Sequence, residues 1–243
     1  MNSQFDSNEL FTPNINSLRK LLIFRIIGVI LMILLFIFEL TQEQILYILS
    51  MFTQYGIFFT TILFIFNAYF TFQKSKEIEI KTTFLRITSI LFQVCWSADV
   101  TITVGFWLIL LPIGILEGDN SNRVSLAHMF YYLFAHSVPM ILILIDYLMN
   151  QIHFRFFDYI FSASLLALYV VVSGICWLTY GYFPYEEYLG NKRSVRILFC
   201  ITLILVHAYS EILAKVIEIF KRRKMMKNQF IYTNLTEEKS MQL

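Results

Sequence analysis

The chain has 243 residues and a formal net charge of +2, with 58% hydrophobic, 17% aromatic and 15% charged residues, and 25 phenylalanines. A soluble domain carries about 25% charged and 45–50% apolar residues, and its apolar positions alternate with polar ones. Here they fall in long runs, which excludes a soluble enzyme, a disordered chain and a collagen-like fibre, and leaves an all-α polytopic membrane bundle.

A bilayer core about 30 Å thick takes about 20 apolar residues per helix. The first run is Leu21 to Leu40, interrupted by Arg25 and Glu39. The second, Ile45 to Phe72, holds no charge. Ile87 to Leu111 contains one acid, Asp99, and Leu126 to Met149 contains His128, His136 and Asp146. Phe156 to Tyr180 has Asp158 in its first turn, and Val195 to Phe220 carries Arg196, His207, Glu211, Lys215 and Glu218. Backbone groups cannot stay unpaired in lipid, so each run is expected to be a helix. The chain then divides into a polar segment at 1–18, a six-helix domain at 19–220 and a basic tail at 221–243.

Six spans place both termini on one side. That side receives thirteen Lys and Arg residues and the opposite side four, with Arg25 and Lys215 inside spans. Positive charge stays in the cytoplasm, so both termini are expected there. The first 18 residues are polar and show no cleavable signal, so the first run reads as a signal anchor. The expected location is an endomembrane or the plasma membrane, with membrane lipids as partners. No basic face lies outside the tail, so no nucleic-acid partner is expected.

Charged or ionisable groups at membrane depth are costly and mark functional sites. At 1.5 Å per residue, Thr53 falls about 12 Å and His136 about 15 Å below the outer face. Asp99 lies about 18 Å above the cytoplasmic end of its span, and His207 about 18 Å below the outer face. Thr53, Asp99, His136 and His207 are therefore expected near a common depth. A hydroxyl, two imidazoles and a carboxylate supply a nucleophile, a base and an orienting acid. The structural alternative is a set of interhelical hydrogen bonds, which membrane threonines commonly make. Asp146, Asp158, Glu211 and Lys215 form a second expected group nearer the cytoplasm, read as a structural network or as an ion path.

No metal and no cofactor are expected. His128 and His136 are eight residues apart, about 12 Å along a helix, too far for one ion. No glycine-rich phosphate loop or GxSxG elbow is present. Cys95, Cys176 and Cys200 show no CxxC spacing and read as small hydrophobes.

Met51-Phe52-Thr53-Gln54-Tyr55-Gly56 resembles the threonine-bearing segment of the androgen-induced membrane protein family, with a looser likeness to the rolling stone family. His136-Ser137-Val138-Pro139, followed by apolar residues up to Asp146, is similar to that family's histidine helix. Tyr180 to Glu187 resembles its aromatic-proline-acid loop, and Val104-Gly105-Phe106-Trp107 the end of its third helix. The likeness spans residues 45 to 220. Proline follows His136 sooner than in the hydrolases of the family, and Asp146 stands in place of a glutamate. The resemblance implies six membrane helices and a hydrolase of fatty acid esters of hydroxy fatty acids. It assigns the nucleophile to Thr53 and its partner to His136.

The leading expectation is thus an intramembrane, threonine-dependent hydrolase with a lipid ester as substrate. An oxyanion donor is needed, and Gln54, Tyr55 and Asn67 are equal candidates. The rival reading is a non-catalytic multi-pass protein that acts through protein partners or as a structural subunit. A small transporter working through Asp146, Glu211 and Lys215 is a third, disfavoured by the lack of repeats and broken helices.

Overall fold

The apolar runs become helices because nothing else satisfies the backbone in lipid. A computed structural model describes residues 18–42, 51–112, 126–150, 152, 154–181, 189 and 193–241. In chain order the helices are α1 (Leu18–Gln42), α2 (Phe52–Ser75), α3 (Thr82–Gly105), α4 (Leu126–Met149), α5 (Tyr159–Tyr180) and α6 (Arg193–Met241). A π-helical turn, Phe106–Leu110, extends α3, and a 3-10 turn, Phe156–Asp158, leads into α5. Among the described residues there is no strand, and six helices are long and apolar enough to cross a membrane. The chain is a multi-pass, six-helix, all-α bundle.

Three boundaries differ most from those read in the sequence. The second helix starts at Phe52 and not at Ile45, because Met51 is extended (φ −95, ψ 126). Residues 43–50 lie outside the described set, and their apolar character gave no break signal. Thr53 is therefore in the first turn of α2. The third helix starts earlier, at Thr82, because its first turn is too polar to register as an apolar run. The last helix runs on to Met241, past the end of the apolar stretch, since no glycine or proline follows Gly190. Residues 1–17 and most of the aromatic-proline-acid loop, 182–188, fall outside the described residues.

The centre of the bundle is α3, which packs against α2, α4, α5 and α6. Within its most apolar window 72% of residues are buried, against 22–50% in the other spans. Every residue from Phe92 to Ile102 is buried, so this helix has no lipid face over three turns. Small and hydroxyl side chains, Cys95, Ser97, Ala98 and Thr101, let neighbours come close on all sides. Around it lies an aromatic group in which Tyr147 stacks on Phe154 with centroids 4.8 Å apart and Trp96 lies 5.4 Å from Tyr147.

Lipid is as apolar as a helix face, so packing and polar bonds hold such helices together. One such bond is a fully buried ion pair between α1 and α4. Arg25 Nε donates to Asp146 Oδ1 at 2.8 Å and Nη2 to Oδ2 at 3.2 Å, both side chains being 0% exposed. From α2, Asn67 donates to the same carboxylate at 3.0 Å, and Thr71 accepts from Arg25 at 2.6 Å. Of the expected group Asp146, Asp158, Glu211 and Lys215, Asp146 therefore stands apart, while Glu211 lies close enough to both Asp158 and Lys215 for their charges to act on it. Asp158 pairs with Arg86. Glu211 accepts from Gln93 at 2.8 Å and Ser97 at 2.5 Å, while Lys215 reaches Glu218 at 3.0 Å and the Phe154 carbonyl. Asp146 faces α1 and α2 while Glu211 faces α3. Height along a helix says nothing about which way a side chain turns.

Candidate functional site

The site begins where α2 comes down onto α3. Gly56 permits this: a Cβ there would lie 2.4 Å from Ile102 Cδ1 and 2.7 Å from Asp99 Oδ1. One turn before Gly56, Thr53 is buried. It stands at the amino end of its helix, where first-turn N–H groups have no partner within the helix and the dipole favours negative charge.

Thr53 Oγ1 lies 3.2 Å from His136 Nε2 on α4. The other ring nitrogen, Nδ1, is 2.7 Å from the Tyr132 carbonyl oxygen, one turn earlier. A carbonyl can only accept, so in the neutral ring Nδ1 carries the hydrogen and Nε2 presents a lone pair. The Thr53 hydroxyl then donates to Nε2. The ring is clamped in this orientation by Phe106, which stacks on it at 3.9 Å and 16°.

The backbone around His136 is also tied. Pro139 sits inside α4 and has no N–H for the carbonyl of Ala135, which loosens the turn that bears His136. Thr103 of α3 donates to the His136 carbonyl at 2.6 Å, and Trp107 donates to Ser137 Oγ at 3.0 Å. Phe106 and Trp107 belong to the π-helical turn, a distortion that is frequent at functional sites. From that turn Phe106 meets the imidazole and Trp107 meets Ser137.

Beside the pair is a cavity of ≈ 10 Å³, about the room of one water, lined by Phe52, Thr53, Thr101, Ile102, Gly105, Phe106, Leu110, His136, Phe199 and Leu203. A roomier crevice, ≈ 380 Å³, lies at the opposite end of α2 between Phe66, Phe70, Ile80 and Phe84, far from these groups. The Thr53–His136 pair therefore borders the smaller of these two spaces.

Of the four polar groups expected to meet, two do. Asp99 instead accepts from Thr60 of α2 at 2.7 Å, and His207 Nδ1 lies 3.2 Å from Thr101 Oγ1. Asp99 and His207 do not pair with each other. Two of the three proposed oxyanion donors are engaged elsewhere: Gln54 donates to the buried Glu39, and Asn67, about 21 Å along α2 from Thr53, donates to Asp146. The Tyr55 ring packs edge-on to Tyr169. The side chain of His128 lies outside the described set. Sequence reasoning did not find Tyr132, whose contribution is a backbone carbonyl four residues before His136 on the same helix. It gave Thr101 no role, and it met Phe106 only within the segment that resembles the end of the family's third helix.

Comparison with family models, with curated proteins and with solved structures gives no match.

Proposed function

We propose that the chain is an intramembrane hydrolase of lipid esters, with Thr53 as nucleophile and His136 as its base. The observation that carries this is the chain of bonds from Thr53 through His136 to the Tyr132 carbonyl. It favours the tautomer in which Nε2, the nitrogen that faces Thr53, can take the hydroxyl proton. The resemblance of the Thr53 and His136 segments to the androgen-induced membrane protein family points the same way.

In this reading Thr53 Oγ bonds to the ester carbonyl carbon while its proton passes to His136 Nε2. The carbonyl π pair moves to oxygen. On collapse the carbon–oxygen bond to the alcohol breaks, and His136 returns the proton to the departing oxygen. Water then attacks the acyl-threonine by the same route and releases the acid. Phe52, Phe106, Phe199 and Leu203 give the cavity an apolar wall suited to an acyl chain. At ≈ 10 Å³ the cavity admits such a chain only after these side chains swing aside.

The same small volume favours a second reading, in which the pair is an interhelical bond in a protein that works through partners. The two readings separate by labelling the purified full chain with an alkyl fluorophosphonate. The hydrolase reading expects a Thr53 adduct that is lost in Thr53→Ala and in His136→Ala. Folded wild-type protein that stays unlabelled at high reagent would sink it.

A further inference from the structure

A hydrolase needs a donor for the negative charge on the attacked carbonyl oxygen, and that donor must border the space where the carbonyl sits. The polar residues lining the cavity are Thr53, His136 and Thr101. The first two are committed to attack and proton transfer. Thr60, which donates to Asp99, and Thr103, which donates to the His136 carbonyl, do not line the cavity.

Thr101 is wholly buried on α3. Its hydroxyl donates to the Ser97 carbonyl at 2.6 Å, and its oxygen is 3.2 Å from His207 Nδ1. A hydroxyl has one hydrogen. With that hydrogen on Ser97, the bond to His207 requires Nδ1 to be the donor and Thr101 the acceptor. The Nε2 atom of His207 is buried and makes no hydrogen bond among the described residues. The Ser162 backbone also lies against the His207 ring, and the backbone carbonyl of His207 accepts from Ser210 at 2.6 Å.

We propose that Thr101 is the hydroxyl that donates to the oxyanion formed at Thr53, and that His207 is the positioning residue behind it. The proposal rests on the hydrolase reading above. Turning the O–H bond about the carbon–oxygen axis re-aims the hydrogen from Ser97 into the cavity without moving a heavy atom. The Ser97 carbonyl keeps its helical partner, the N–H of Thr101. His207 Nδ1–H continues to donate to Thr101 Oγ1, which polarises the hydroxyl as charge builds on the substrate oxygen. The hydrogen stays on Thr101 throughout and returns to Ser97 when the carbonyl re-forms. Thr53, His136 and Thr101 thus line the cavity with His207 behind Thr101, one Thr–His pair moving a proton and the other holding charge.

The test uses the full chain in nanodiscs, a medium-chain p-nitrophenyl ester, and an alkyl trifluoromethyl ketone that mimics the tetrahedral adduct. Thr101→Val is expected to lower kcat by about 10²–10³-fold with KM little changed. It should weaken the ketone by a similar factor, whereas Thr101→Ser restores both. A purely structural Thr101 would not tie ketone affinity to kcat. If Thr101→Val does not survive purification, Thr101→Cys, close in size with a weak S–H donor, carries the comparison with the same expectation. Wild-type turnover and ketone affinity in the surviving variant, with Thr53→Ala and His136→Ala inactive, would overturn the assignment and leave the hydrolase reading standing. If wild type neither turns over the ester nor forms a fluorophosphonate adduct, the hydrolase reading fails first and takes this assignment with it.

Discussion

Thr53 Oγ1 and His136 Nε2 stand 3.2 Å apart, 83 positions distant in the chain, on helices that meet beside α3. The bond has two separable values, one for stability and one for chemistry. Interhelical hydrogen bonds in membranes average about 0.6 kcal/mol and reach about 1.7 kcal/mol. Thr53→Val, which keeps the shape, is therefore expected to shift the unfolding midpoint only slightly while abolishing fluorophosphonate labelling. Thr53→Ser is expected to keep both. Thermal unfolding in detergent beside in-gel labelling checks this, and a valine variant that still labels would show that the probe reacts elsewhere.

The Arg25–Asp146 pair predicts a different pattern. Both side chains are inaccessible, and Asn67 and Thr71 complete their bonds. Removing one partner of a buried pair leaves an uncompensated charge and costs about 3–5 kcal/mol. Arg25→Met and Asp146→Leu should each lower the midpoint sharply. The double variant should recover much of the loss, since apolar groups of similar size often replace a buried pair at little cost. A double variant no better than the worse single would contradict this.

Two glycines make a matched comparison. A methyl at Gly56 would meet Ile102 at 2.4 Å and Asp99 at 2.7 Å, whereas one at Gly174 meets nothing within 4 Å. Gly56→Ala is expected to destabilise by about 1–3 kcal/mol and to slow labelling by pushing α2 off α3. Gly174→Ala, inside α5, should stabilise by about 0.5–1 kcal/mol. Equal effects at the two positions would mean that α2 and α3 are not held as closely as described.

Leu203 closes the cavity from α6 and lies 3.2 Å from a methyl placed on Gly105. Leu203→Ala should cost about 2–5 kcal/mol through lost packing. It should nonetheless speed labelling by long-chain fluorophosphonates more than by short ones, because it makes room where the acyl group must lie. Chain-length profiles of wild type and variant decide the matter. Parallel profiles would place the acyl chain away from α6.

The number of helices and their approximate limits were legible because lipid leaves an apolar run only one way to satisfy its backbone. The common height of Thr53 and His136 was legible for the same reason, since rise per residue is fixed. Azimuth was not. Asp99 and His207 sit near that height too, yet Asp99 turns to Thr60 on α2 and His207 to Thr101 on α3. Nor could the start of α2 be read, because the residues before Phe52 are as apolar as those after it. The Tyr132 carbonyl carries no residue-type signal at all, so only a structure reveals that it sets the tautomer of His136.

The polar bonds of this bundle are graded along its length. Arg25–Asp146 joins the early part of α1 to the late part of α4, and Arg86–Asp158 joins the start of α3 to the start of α5, so both lie toward the end where α1 begins. Around Thr53 and His136 the described residues show no ion pair, and the ties are hydrogen bonds, one of them from Gln54 to the Glu39 carboxylate, and ring contacts. Strain applied to the bundle will find the charged end stiff and the other end compliant. The helices are built like tongs riveted at one end, and the jaws are where Thr53 and His136 meet.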